Sequence, residues 1–355
     1  MITLSTMQSL NESVSYNPYD DIPMEDLGSV VESAIMNEGI GHDIWEGIKK
    51  IWGKIVAAVR TLINKIKNFF SGLFNKNKST TEAVKAKIDK MPDNAEVKSA
   101  KTENDKIKFK VNTFFELKSP KCPLSDDVVN NIIAKVSGAN PIRVKRATKE
   151  VAFVANKDDE EARQRVAEDF EKISSASIDT SSSEILNAAG LYNVDGEWVL
   201  NCYKKLTIEP KTARDLKKIA DNISKANLGE KKFLDDIVKC CNDLDHDYTA
   251  MKDKVDNYAK ENADKPKLAK LCKAQAAACA KKLSLVTGLC GAYTNSIKRV
   301  SGWNIWMLNQ YTIPGRSKLS NDERRELQLH NVNRKGDVLD LNKEPRPYSG
   351  IEDKK

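Results

Sequence analysis

The residues best placed to do chemistry are two carboxylates and a histidine within one helical segment. Asp243, His246 and Asp247 lie at positions i, i+3 and i+4, so a single helix face would present all three to a metal ion. Hydrolytic metal sites of this kind need further histidines, and the only others in the chain are His42 and His330. We therefore expect a solvated helix face here, with no bound metal.

The seven cysteines are the second candidate, either as zinc ligands or as a disulfide framework. They contain no C-x-x-C pair, which structural zinc sites commonly use. Their number is odd and most of them fall in predicted helices, which favours free thiols in a reducing cytoplasm. Cys272 and Cys279 lie seven residues apart in an alanine-rich helix, so we predict that they are core residues. The others are Cys122, Cys202, Cys240, Cys241 and Cys290.

The sequence has no other recognisable catalytic or nucleotide-binding motif. It contains neither a G-x-x-x-x-G-K-[S/T] loop nor a G-x-G-x-x-G loop. Three scattered histidines do not define a general base beside a nucleophile. We therefore expect a protein that is not an enzyme, with no catalytic residues and no cofactor.

The most strongly patterned element is a long amphipathic helix at 39–78. Its apolar residues recur every three or four positions over four heptads, and a second row widens this stripe. We assign the main row as far as Phe69 to binding a partner or packing in a helical bundle, with a membrane surface or DNA as the alternatives. The main row is Trp45, Ile48, Trp52, Ile55, Val59, Leu62, Ile66, Phe69 and Leu73, and the second row is Ile44, Ile51, Val56, Ile63 and Phe70.

The polar face of this helix is cationic. No acidic residue occurs between Gly47 and Lys78, so the face could neutralise a polyanion such as DNA without reading its sequence. The residues that we assign to polyanion binding are Lys49, Lys50, Lys54, Arg60, Lys65 and Lys67.

Charge is distributed unevenly along the 355 residues. The net charge is +7, but residues 1–48 carry nine acidic side chains and no lysine or arginine. A basic body behind an acidic leader indicates a polyanionic partner. The first residues lack the basic and apolar regions of a secretory signal, and no apolar run is long enough to span a bilayer.

The chain as a whole is predicted to be mainly α, with a small α+β domain and a C-terminal antiparallel helical bundle. Alternating apolar residues before Leu117 predict a strand, and a short helix with Ser125 as its cap should end at Gly138. In the bundle region a first helix should end near Gly229, a second should follow it and a third should begin at Pro266. The first of these should pack against the other two as the third member of the bundle. The predicted segments are a leader at 1–38, the amphipathic helix at 39–78, a linker at 79–104, the α+β domain at 105–208, the bundle at 209–312 and a polar tail at 313–355.

Three short motifs in the leader resemble one another. Each places an apolar residue two positions before a glutamate and a small residue after it, as in Leu10-Asn11-Glu12-Ser13. The other two are Val30-Val31-Glu32-Ser33 and Met36-Asn37-Glu38-Gly39. The pattern resembles the sites cut by the prohead maturation proteases of large tailed bacteriophages. The basic, lysine-rich and helical body is similar to the internal head and prohead-core proteins of these phages.

This resemblance implies a structural virion protein of the head or core, assembled in the host cytoplasm through the amphipathic helix. It implies cleavage of the leader after Glu12, Glu32 or Glu38, and it implies other virion proteins, further copies of the chain and packaged DNA as partners. Two alternatives stay open. One is a membrane-active protein that its acidic leader keeps silent, and the other is a sequence-independent DNA-binding protein.

Overall fold

The computed structural model describes residues 44–99, 113–117, 122, 124–147, 149–150, 160–180, 182–191, 203–261, 266–309 and 311–312. Within this part of the chain the fold is mainly α, as the sequence predicts. The helices are α1 (Ile44–Asp89), α2 (Asp126–Ser137), α3 (Pro141–Arg146), α4 (Glu160–Ser175), α5 (Ser183–Ala188), α6 (Ala213–Glu261) and α7 (Pro266–Asn309). The strands are β1 (Lys98–Ser99), β2 (Thr113–Leu117), β3 (Tyr203–Thr207) and β4 (Tyr311–Thr312).

The three long helices α1, α6 and α7 form a bundle about 70 Å long. At one end the ring of Trp45 contacts the ring of Tyr258 edge-on, with centroids 6.2 Å apart. At the other end Lys85 Nζ lies 2.5 Å from Asp221 Oδ1. Since Trp45 begins α1 and Tyr258 lies near the end of α6, the two helices are antiparallel.

Helices α6 and α7 form the antiparallel hairpin that the sequence predicts, with α7 beginning at Pro266. The hydroxyl of Tyr248 on α6 donates a hydrogen bond to the carbonyl of Cys279 on α7, at 2.8 Å. The predicted break near Gly229 is wrong, because α6 runs unbroken from Ala213 to Glu261. A glycine inside a helix costs only about 1 kcal/mol, which the packing on both sides outweighs. The third member of the bundle is therefore α1 and not a separate helix at the start of this region.

Helix α1 extends well past the predicted boundary at residue 78. It ends at Asp89, and both Val84 and Ile88 are buried, so the helix still has an apolar side to cover. Residues 79–89, which the sequence assigns to a linker, are therefore part of α1. The residues that follow α1 stay close to the bundle, since β1 pairs with β4 in an antiparallel ladder just beyond the end of α7.

The predicted strand is present from Thr113 to Leu117 as β2, and its earlier residues lie outside the described part of the chain. Strand β2 pairs antiparallel with β3, with Thr113 opposite Thr207. Helix α7 covers the remaining edge of β2. The side chain of Asn304 accepts from the N–H of Phe115 at 2.9 Å and donates to its carbonyl at 2.8 Å. An amide side chain therefore supplies the hydrogen bonds that a third strand would provide.

The predicted end of α2 at Gly138 is confirmed. Gly138 follows α2 with a φ of 66°, and its N–H donates to the carbonyl of Ala134. Ser125 precedes α2 as predicted, but its side chain makes no capping hydrogen bond. The side chain of Ser182 accepts a hydrogen bond from the N–H of Ile185 at the start of α5.

Two buried polar side chains of α7 attach the α2–α5 region to the bundle. The Gln275 amide donates to the carbonyls of Ala147 and Glu150, at 2.5 and 2.6 Å. Lys282 is only 4% exposed, and its Nζ lies 2.6 Å from Asp126 Oδ1. Partial burial would by itself raise the pKa of Asp126, but the charge and hydrogen bond of Lys282 outweigh it and lower that pKa.

A glycine allows the segment before α5 to approach α7 closely. A Cβ placed on Gly288 would lie 2.3 Å from the side-chain oxygen of Thr180. Backbone and side chain can therefore meet at this point only because residue 288 has no side chain.

Gly288→Ala should destabilise the protein by about 1–3 kcal/mol, because Thr180 or the α7 backbone must move. The matched control is Gly53→Ala on α1, where an added Cβ meets nothing within 4 Å and helix propensity improves. Urea unfolding followed by circular dichroism measures both. Equal effects of the two substitutions would contradict the close approach.

Asp126→Asn should cost about 2 kcal/mol, since it leaves the buried Lys282 ammonium without its carboxylate. Because the pKa of Asp126 is lowered in the folded state, its contribution is present above its unfolded pKa of about 4 and lost as the pH falls through the folded value. The variant should therefore lose less stability on acidification than the natural chain. Adding Lys282→Met should restore most of the loss, and no recovery would contradict the pairing.

Candidate functional site

The apolar stripe of α1 is the principal candidate site, and the structure buries it within the same chain. Each residue of the main row that the structure describes is 6% exposed or less. These side chains contact α6 and α7. The eight are Trp45, Ile48, Trp52, Ile55, Val59, Leu62, Ile66 and Phe69, whereas the side chains of Phe70 and Leu73 lie outside the described residues.

One contact in this stripe connects all three long helices. The ring of Trp52 on α1 meets the ring of Tyr248 on α6 edge-on, with centroids 6.1 Å apart. The hydroxyl of Tyr248 in turn bonds to the backbone of Cys279 on α7. Complete burial raises the pKa of Tyr248 well above its usual value, so the hydroxyl stays protonated and continues to donate.

Burial of the stripe within the chain corresponds to bundle packing and not to docking on an external partner or a membrane. Each large side chain that is buried contributes about 1.5–3 kcal/mol, so exposing eight of them to a partner or a bilayer would dismantle the bundle. In this fold the stripe is part of the core of the chain itself. In the described part of the chain, no helix is long and apolar enough to cross a membrane.

The cationic face of α1 lies on the outside of the bundle. Some of its side chains form ion pairs with acidic residues of the same chain. The guanidinium of Arg60 donates to Asp245 at 3.0 Å and to Thr249 at 3.2 Å, both on α6. Lys49 Nζ lies 2.5 Å from a carboxylate oxygen of Glu46. Of the remaining assigned cations, Lys50, Lys54 and Lys67 are exposed and Lys65 is half-buried.

Helix α6 brings acidic charge next to this cationic face. Residues 44–72 of α1 carry six basic side chains and one acidic one, while residues 234–261 of α6 carry eight acidic and four basic ones. Since the two helices are antiparallel neighbours, their charges largely compensate each other. The face attracts a polyanion less strongly than the sequence of α1 alone indicates.

The carboxylates and histidine considered for a metal lie on the outer side of α6. Asp243 and His246 are exposed, Asp247 is half-buried, and the His246 and Asp247 side chains are 3.8 Å apart. Among the described residues, no group of three or more histidine, cysteine, aspartate or glutamate side chains could hold a metal ion.

The prediction that Cys272 and Cys279 are core residues is confirmed, and burial raises the pKa of each thiol to about 12. The structure also brings together a pair that the sequence did not indicate. The sulfur atoms of Cys122 and Cys240 lie 3.4 Å apart, although the residues are 118 positions apart in the chain. Cys202 lies outside the described residues, as do the predicted cleavage sites Glu12, Glu32 and Glu38.

Ile55→Asp tests whether the stripe is a core or a docking surface. Ile55 is fully buried, so a carboxylate there should cost more than about 4 kcal/mol and unfold the isolated chain. Lys50→Ala, on the exposed face, should change stability by no more than about 0.5 kcal/mol. Urea unfolding of the isolated chain compares the two. An Ile55→Asp chain of unchanged stability that loses only its binding partners would contradict the core assignment.

Comparison with known proteins gives one family. The model of the family described as phiKZ-like phage internal head proteins matches residues 22–312. No curated protein matches the chain. No solved structure matches it either.

Proposed function

The chain belongs to the phiKZ-like phage internal head proteins, and we propose that it is a structural component of the head interior that is trimmed in its acidic leader during maturation. Membership of this family places the protein inside the virion in a structural role, in contact with other virion components. The match over residues 22–312 is the observation that carries the proposal.

The position of the leader supports trimming after Glu38. Glu32 and Glu38 lie inside the matched range, and the bundle begins only at Ile44. A cut after Glu38 therefore removes none of the described core. It also removes seven acidic residues and no basic ones, which raises the net charge from +7 to +14. The trimmed chain is better suited to a head filled with DNA.

The packing of α1 limits how the protein assembles. Because the apolar stripe of α1 is buried within the chain, DNA or other virion proteins would contact the outer face of this helix. Lys50, Lys54 and Lys67 are exposed there, and such contacts are electrostatic and sensitive to salt. A membrane-active role has less support, because α1 would first have to leave the bundle.

The N-terminus of the protein isolated from purified particles tests the cleavage. Mass spectrometry should find a chain that begins at Gly39, with Ser33 and Ser13 as the alternative starts after Glu32 and Glu12. The same protein from infected cells before head maturation is the control, and it should be intact. An intact leader in mature particles would contradict the proposal.

The chain contains an internal control for this experiment. Ile44-Trp45-Glu46-Gly47 also has an apolar residue two positions before a glutamate and a small residue after it, but it lies in the first turns of α1. Trp45 is buried there, and proteases cut folded helices poorly. A mature chain that begins at Gly47 would show that sequence alone directs the protease and that α1 is not folded when cleavage occurs.

A further inference from the structure

Two cysteines on different elements form a close and partly accessible thiol pair. Cys122 lies between β2 and α2, and Cys240 lies near the middle of α6. Their sulfur atoms are in hydrogen-bond contact at 3.4 Å, and neither residue is fully buried. The other described cysteines, Cys241, Cys272, Cys279 and Cys290, are all buried.

We propose that Cys122 and Cys240 are a redox modification site, which a small-molecule disulfide such as oxidised glutathione converts into a protein disulfide. A disulfide bond is about 2.05 Å long, so the sulfur atoms must approach by only about 1.4 Å. One end of the pair lies outside any helix or strand, so it can adjust while α6 stays in place.

The reaction consists of two thiol–disulfide exchanges. The Cys240 thiolate attacks one sulfur of the small disulfide, forms a mixed disulfide and releases one small thiolate. The Cys122 thiol then gives up its proton to solvent, attacks the Cys240 sulfur and releases the second small thiolate. Overall two protein thiols are oxidised to one disulfide, and one small disulfide is reduced to two thiols.

The surroundings of the pair favour Cys240 as the first nucleophile. A hydrogen bond joins the two sulfur atoms, and either thiol can donate it. With Cys122 as the donor, this bond lowers the pKa of Cys240 and raises that of Cys122. Partial burial and the carboxylates of Asp236 and Asp243 act in the opposite direction, while Lys239 supports the thiolate. Since Cys240 is the thiol of lowered pKa and is partly exposed, it can reach a dissolved disulfide.

The buried cysteines should stay reduced under the same conditions. Burial raises the pKa of Cys272 and Cys279 to about 12, so almost no thiolate forms near neutral pH. The pKa of Cys290 is also raised, first by its hydrogen bond with Cys241 and then by burial. Oxidation of the folded chain should therefore be selective for one pair.

The bond would fasten the segment before α2 to α6 and close a loop of more than one hundred residues. Closing a long loop stabilises a fold mainly by restricting the unfolded chain. The host cytoplasm keeps the pair reduced while the head assembles, whereas a released particle meets an oxidising medium. This timing depends on the location of the protein inside the virion.

The test uses the purified full-length chain, first fully reduced and then exposed to oxidised glutathione. Free thiols are blocked with N-ethylmaleimide, and peptides are mapped by mass spectrometry without reduction. The expected product is a linked Cys122–Cys240 peptide, with the buried cysteines modified only after denaturation. The urea midpoint should rise on oxidation, with unchanged helix content. Stable glutathione adducts on either residue, or bonds that join either one to Cys202 or Cys241, would overturn the proposal.

Substitutions identify the source of the effect. Cys122→Ser and Cys240→Ser should each abolish both the linked peptide and the rise in urea midpoint. The matched control Cys272→Ala should retain both, since Cys272 is buried outside the pair. If a serine variant does not fold, oxidised and reduced samples of the natural chain still give the comparison. An equal urea midpoint for those two samples would count against the proposal.

Discussion

Burial of the α1 stripe against α6 and α7 is the interaction on which the rest of the fold depends. A helix of 46 residues with one wide apolar face is not stable in water by itself, and the α6–α7 hairpin alone would expose the side that α1 covers. With α1 in place, α7 is enclosed by the bundle on one side and by α4 and the α2–α3 region on another. Its polar residues Gln275 and Lys282 can then bind the α2–α3 region without meeting water.

The spacing of apolar residues identified the long helices and their buried faces, because helix geometry fixes that spacing. It could not show whether the partner of the 39–78 helix lay in the same chain, since the stripe is the same in either case. At Gly229 the apolar pattern itself argues against a helix end. The three-four spacing that includes Leu216, Ile223, Leu234 and Val255 continues in phase across that glycine, as one unbroken helix requires. The partners of Lys282 and of Cys240 lie more than one hundred residues away, and nothing in the local sequence points to them.

The charge pattern was also misleading when α1 was considered alone. Its cationic face is compensated by α6, a neighbour that lies more than 150 residues further along the chain. The two stretches at 44–72 and 234–261 together carry ten basic and nine acidic residues, which is close to neutral. Most of the net positive charge of residues 39–355 therefore belongs to other parts of the chain. The cationic face of α1 accounts for only a small share of the net positive charge. Contact with a polyanion through α1 alone would therefore leave most of that charge unused.

The antiparallel course of the bundle gives the molecule a direction. Ile44 lies at the end of the bundle where α6 turns into α7, and Thr312 lies at the opposite end, where β4 pairs with β1 behind α1. The described chain thus enters at one pole and leaves at the other, about 65 Å away. The entry pole carries the edge-on contact of Trp45 with Tyr258, and the exit pole carries the β1–β4 ladder. The described part of the chain is therefore asymmetric along its axis, and each copy presents a different surface at each pole.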